Sequence, residues 1–175
     1  LNHCVVLLYH QFSDTGPKST SISPLLFEEH LKYLETNDFQ VIPLKTVIER
    51  LKMQLSLPDK CVSLTADDGY LSFYERAYPL LVKYKTPMSV FVSTEAIDKQ
   101  YSSIMSWGQL REMTELVDVY NHSVNHQHLI DKTDEELLNE ITSAQLRLKS
   151  ELSQDNKFFA YPYGEFDEKA YHLIK

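Results

Sequence analysis

Glycine is scarce in this chain, with only Gly16, Gly69, Gly108 and Gly164 in 175 residues. So few, so widely spaced, leave no G-x-G-x-x-G turn for a dinucleotide and no P-loop to cradle phosphates. Cysteine is scarcer still. Cys4 and Cys61 lie in apolar runs without the C-x-x-C spacing of a metal or redox pair. We read both as buried thiols; a bridge between them requires their strands to be neighbours, which sequence does not test. Positive charge is in deficit, with 17 Lys and Arg against 25 Asp and Glu and a formal net charge of −8. Such a balance supplies no general field for a phosphate backbone, and nucleic acid is not an expected partner. No apolar run approaches the roughly 18 residues of a bilayer span, the longest being strand-sized, such as Val5-Val6-Leu7-Leu8. No secretory leader is read in it, and a start at Leu1 rather than Met reads as a processed or trimmed end, so the compartment has to be argued otherwise.

What remains is ordinary globular material: 43% hydrophobic and 24% charged residues, enough for a core and expected to form a single domain over residues 1–175. Short apolar runs at Cys4–Tyr9, Phe39–Pro43, Cys61–Ala66, Met88–Val92, Val117–Tyr120 and Phe158–Tyr161 read as strands. Between them lie helical patterns. Ser23-Pro24 opens one with Leu26, Phe27, His30, Leu31 and Leu34 at helical spacing. Further helices are expected over Leu44–Met53, Tyr70–Tyr84 with Pro79 as a kink, and Trp107–Leu116. Thr133 and Glu136 have capping-box spacing before a long helix marked by Leu137, Ile141, Ala144, Leu146 and Leu148, and a last helix starts at Asp167. Strands alternating with helices predict an α/β fold with a parallel sheet, open or closed into a barrel, with functional groups at the carboxyl ends of the strands.

Polar clusters fall at those ends. Asp67-Asp68-Gly69 follows the third strand, and adjacent carboxylates repel unless a cation or a proton lies between them. An Asp-Gly pair is also an ordinary turn, so alone the run is ambiguous. His122 and His126 have H-x-x-x-H spacing, with His128 two residues on. A single turn of chain can aim two imidazoles at one cation, although a polar loop accounts for them equally well. Two imidazoles with one carboxylate leave coordination positions open for water and substrate, the pattern of a catalytic rather than a structural metal. Tyr161-Pro162-Tyr163-Gly164 ends another strand; packed inward it is a tight turn, and in a shared cleft it offers an aromatic wall and N–H groups for a developing oxyanion. Tyr9-His10 puts an imidazole at the rim of the first strand.

Thr65-Ala66-Asp67-Asp68-Gly69, His122-Ser123-x-x-His126 and Tyr161-Pro162-Tyr163-Gly164 together resemble the first three motifs of the NodB-type polysaccharide deacetylases, carbohydrate esterase family 4, in order and spacing. The similarity includes Tyr9-His10 and Trp107-Gly108-Gln109-Leu110, so it covers most of the chain, and it is nearest to the branch that de-N-acetylates poly-β-1,6-N-acetylglucosamine of biofilm matrix. The resemblance implies a distorted (β/α) barrel in which Asp68, His122 and His126 bind one divalent metal, zinc ahead of cobalt, nickel or iron. It implies Asp67 as the general base toward water, and an oxyanion held by the metal and a backbone N–H near Tyr163, with Tyr161 and Pro162 in the same substrate-binding turn. The family's usual last motifs are absent, with only His172 in that region. In the matrix-deacetylase branch, which resembles a circular permutation, the acid comes from the first strand, and His10 occupies the matching place. Ala66 stands where a Phe is usual, and Ala160 where many members carry an Arg that orients the base, which leaves the charge partner of Asp67 unidentified. The implied substrate, an exported N-acetylglucosamine polysaccharide, points to an extracytoplasmic location.

Two other readings compete. Two His and one carboxylate also describe the facial triad of an Fe(II) oxygenase, against which the alternating strands and helices argue. Ala160 and the missing last motifs also fit a non-catalytic carbohydrate-binding relative.

Overall fold

The computed structural model describes residues 3–154 and 158–174. The strands are β1 (Cys4–Tyr9), β2 (Gln11–Phe12), β3 (Ser21–Ile22), β4 (Gln40–Val41), β5 (Cys61–Asp67), β6 (Met88–Val92) and β7 (Val117–Asn121). Five of them form one parallel sheet in the order β1-β5-β6-β7, with β4 beside the start of β5. Since β1 takes one edge of β5 along residues 61–66, β4 and β6 share the other edge. The α/β fold with a parallel sheet is the one expected. Every residue of β6, and all of β5 up to Asp67, is buried, as near-continuous apolar strands in a parallel sheet should be.

The connecting helices bury apolar stripes against this sheet. Helix α1 (Pro24–Thr36) is capped by the Ser23 hydroxyl, which accepts from the Leu26 N–H at 3.1 Å, and it buries Phe27, Leu31 and Leu34. Helix α2 (Leu44–Lys52) follows, with Val47 inward. The helix predicted over 70–84 is a widened π turn at Phe73–Ala77 leading into α3 (Tyr78–Tyr84). Pro79 lacks the N–H for a regular bond back along the helix, so the irregular turn just before it is where the ladder yields. Short helices α4 (Thr94–Asp98) and α5 (Trp107–Glu112) precede β7, and α5 ends one turn earlier than its pattern suggests. The capping box at Thr133 and Glu136 is formed and opens α6 (Asp134–Leu138), which continues through a π turn at Asn139–Ser143 into α7 (Ala144–Leu152). Leu137, Ala144 and Leu148 face inward; Leu146, read as part of the same stripe, is exposed. The last helix is α8 (Glu168–Ile174).

Three expectations need correction. Cys4 and Cys61 are not free thiols: they pair in register across β1 and β5 with Cα atoms 4.5 Å apart and form a disulfide. Strand adjacency, which no single sequence displays, decides this. The strand read at Phe158–Tyr161 is a single bridge between Phe159 and Asn121, flanked by bonds from Asn121 N–H to Phe158 and from Ala160 N–H to Asn121. Pro162, with no N–H, and the turn at Tyr163 stop the ladder there. The polar stretch after β1 holds a small parallel pair, β2 with β3, that its composition did not announce.

Candidate active site

The sheet order determines which polar residues meet. Asp67 ends β5 and His122 directly follows β7, with β6 between them. The ladder continues past β7, where the His122 N–H donates to the Val92 carbonyl at 3.0 Å. The β1 register pairs Tyr9 with Ala66, so His10, one residue on, is level with Asp67.

After Asp67 the chain turns through two left-handed residues, Asp68 (φ 73) and Gly69 (φ 71). Glycine is required at 69: a Cβ would sit 2.8 Å from Val92 Cγ1. The turn brings the Asp68 carboxylate to the histidine loop, with Oδ1 at 3.4 Å from His122 Nε2 and 3.1 Å from His126 Nε2. The loop has its own supports. Asn121 Oδ1 accepts from the Ser123 N–H at 2.8 Å, and Ser123 Oγ accepts from the His126 N–H at 3.0 Å. Ser123 and His126 are themselves left-handed, at φ 72 and 58, as is Tyr163 at φ 61. Four strained non-glycine residues therefore gather at one place, a recurrent mark of functional sites.

The donor set fits a divalent metal on an observation internal to the site. Asp68 Oδ1, His122 Nε2 and His126 Nε2 lie within 4.8 Å of one another. His122 is 2% exposed, and its Nδ1 lies 2.9 Å from the Ala160 carbonyl, which can only accept a hydrogen bond. The Nδ1 therefore carries a proton, and in the neutral form that binds a metal the Nε2 lone pair faces Asp68. Two acceptors then face each other, and Asp68 Oδ1 is a buried oxygen without a hydrogen-bond partner. A cation placed among the three atoms satisfies all of them. Two imidazole nitrogens and one carboxylate oxygen suit zinc and its first-row neighbours.

The electrostatics separate the two carboxylates. Burial pushes Asp68 up, but His122 and His126 outweigh it and hold the carboxyl well below the usual range. Asp67 moves the other way: burial raises it, the His122 and His10 charges offset part of that, and Asp68 adds to the rise. His126 is raised, chiefly by the Asp68 carboxylate 3.1 Å from its Nε2.

The aromatic turn divides. Tyr163 is 58% exposed and edges onto His126 with centroids 4.7 Å apart, while its face stacks on His128 at 4.0 Å. His128 is held by Glu165 at 2.6 Å. Tyr161 packs against Phe159 and Phe166, and Pro162 is buried. Sequence reasoning missed Asn121 and the Ala160 carbonyl. The signal for the first was a short polar side chain at a strand end, free to bond nearby backbone; the second acts through a main-chain atom that any residue supplies.

Comparison with known proteins bears on this geometry. A poly-β-1,6-N-acetyl-D-glucosamine N-deacetylase of Staphylococcus aureus is 27% identical over 181 residues, covering 96% of this chain and 62% of that protein. The chain thus spans about three fifths of the length of the curated relatives it matches. IcaB from Ammonifex degensii superposes with a TM-score of 0.90 at 27% identity, over 99% of this chain and 79% of that one. The Streptococcus pyogenes deacetylase PplD, solved with acetate, also gives 0.90, at 25% identity over 98% and 78%. The polysaccharide deacetylase family profile matches residues 54–175. With its three motifs in order, the metal-fitting triad assembled from them, and the parallel-sheet fold shared with solved deacetylases, the chain belongs to the polysaccharide deacetylase family.

Proposed function

We propose that this protein is a metal-dependent hydrolase that removes N-acetyl groups from an N-acetylglucosamine polysaccharide, of the exported β-1,6-linked kind found in biofilm matrix. The observation that carries the reading is the convergence of Asp68 Oδ1, His122 Nε2 and His126 Nε2 beside a second buried carboxylate, Asp67. Those three side chains would hold the cation, zinc ahead of cobalt, nickel or iron. When bound, a divalent ion there supplies Lewis acidity toward the acetamide carbonyl and toward water.

The protein's own groups handle the protons. Asp67 serves as general base, and its burial makes it a stronger proton acceptor than an exposed carboxylate. His10, on the opposite side of Asp67 in the sheet register, serves as the acid for the leaving amine. The left-handed turn at Tyr163 offers its N–H to the oxyanion, and the exposed Tyr163 ring, with Tyr161 and Pro162 behind it, forms one wall for the sugar. The Cys4–Cys61 disulfide and an exported substrate both support an extracytoplasmic location. No helix of the described residues is long and apolar enough to cross a membrane.

Acetate release from β-1,6-linked N-acetylglucosamine oligomers tests this. Release should require added Zn²⁺, Co²⁺ or Ni²⁺, stop with chelator, and fall about 10²–10⁴-fold in Asp67→Asn and in His10→Asn while each variant still holds one cation. Metal-loaded protein that releases no acetate would overturn the reading.

A further inference from the structure

Glu140 is an acidic residue only 5% exposed, in the π turn Asn139–Ser143, and the chemistry above does not use it. Its Oε2 accepts two backbone N–H groups, from Val124 at 3.2 Å and Asn125 at 3.1 Å. Those two residues lie between His122 and His126. A second tie joins the same turn to the same loop: the Asn121 side-chain amide donates to the Ile141 carbonyl at 2.9 Å. On its other side the loop is held by its carbonyls, with Ser123 and Val124 accepting from the N–H groups of Thr94 and Glu95 at 3.3 and 2.8 Å. The loop is thus gripped by its donors from one direction and its acceptors from another. A regular helix at 139–143 would present a different arc of side chains; widened turns of this kind are frequent beside functional sites.

Resting on the metal-site reading above, we propose that Glu140 is a positioning residue for the cation site, its carboxylate clamping the peptide between His122 and His126 so that both Nε2 atoms face Asp68. The clamp works against backbone strain, since Ser123 and His126 are both left-handed within the gripped segment. A loop freed of the carboxylate leaves two N–H groups without their acceptor and relaxes toward ordinary φ values, which carries the imidazoles apart. Groups that orient ligands in this way typically change metal affinity about 10–100-fold when removed.

The test is the dissociation constant for Zn²⁺ and the visible spectrum of the Co²⁺ form in wild type, Glu140→Ala, Glu140→Gln and Glu136→Ala. Near-ultraviolet circular dichroism and thermal midpoints of the metal-free proteins establish folding. Glu140→Ala should bind Zn²⁺ about 10–100-fold more weakly with an altered Co²⁺ spectrum. Glu140→Gln keeps an amide oxygen for the two N–H groups and should stay within a few-fold of wild type. Glu136 accepts from the Thr133 N–H in the same helical stretch and not from the peptide between His122 and His126, so its loss should lower stability without moving metal affinity. If Glu140→Ala does not fold, Glu140→Asp takes its place, too short by one methylene to reach both donors, and should weaken Zn²⁺ binding while Glu140→Gln does not. Wild-type binding with unchanged affinity in the folded Glu140 variants overturns this inference alone; a wild type that takes up no cation overturns the site reading and this inference with it.

Discussion

At the residue scale, the turn after β5 is where one atom decides most. Gly69 and Gly164 both have positive φ, at 71 and 67, yet their surroundings differ. A Cβ on Gly69 would meet Val92 Cγ1 at 2.8 Å, whereas one on Gly164 would meet nothing within 4 Å. Gly164→Ala should therefore cost only the left-handed backbone term, about 1 kcal/mol, and Gly69→Ala that term plus displacement of Val92 in the core, about 2–4 kcal/mol in all. Urea unfolding of the two variants checks the order; equal losses would mean that Val92 yields freely. The same scale shows what could be read beforehand. Asp67, Asp68, His122 and His126 were legible because their chemistry resides in side chains at motif spacing. The Ala160 carbonyl and Glu140 were not, since one acts through the main chain and the other reaches the loop from a different helix.

At the element scale, alternation of strands and helices, the Ser23 cap and the Thr133 capping box were all legible, because each is written within a few residues. Pairing was not. The bridge between Phe159 and Asn121, the β2–β3 pair and the adjacency of β1 to β5 depend on segments brought together from afar. The disulfide follows from that last adjacency. It joins residues 57 apart in sequence at the amino ends of β1 and β5, while the site is at their carboxyl ends. Cys4→Ser with Cys61→Ser should lower stability by about 2–4 kcal/mol by releasing the unfolded chain from a long closed loop. Zn²⁺ affinity of the folded variant should be unchanged, since β5 is locked at Asp67 by β6. A parallel loss of affinity would show that the bridge sets the position of Asp68.

For the whole molecule, stability should describe a dome against pH. Glu28, Asp98, Glu136 and Asp167 are all held below the usual carboxylate range, by the Lys83 ammonium, the Arg147 guanidinium, the Thr133 N–H and the Ala170 N–H respectively. Depressed folded-state values give stability that is present above the unfolded value and lost as pH falls through the folded one. At the alkaline side, burial pushes the Tyr9 phenol up to about 12 and raises Tyr120 as well. A raised folded value is lost in the opposite sense, so stability should decline between about pH 10 and about 12. Tyr9→Phe, which keeps the ring and removes the hydroxyl 3.0 Å from His30, should remove up to about 2–3 kcal/mol of that decline. Denaturation midpoints across that range, wild type beside variant, are the measurement; identical slopes would assign the alkaline limb to other groups.

The strand order has a further consequence for the molecule as a whole. Asp68 comes from the end of β5 and the two histidines from beyond β7, so whatever binds all three spans β6, which contributes no ligand. Ligation there would act as a rivet through three strands. Its linkage free energy, about 2.7 kcal/mol at a free cation concentration of 100 Kd, is delivered to the fully buried middle strand, whose departure from the sheet would separate the two halves of the site. Cation uptake and the permanence of the sheet's centre would then be linked equilibria.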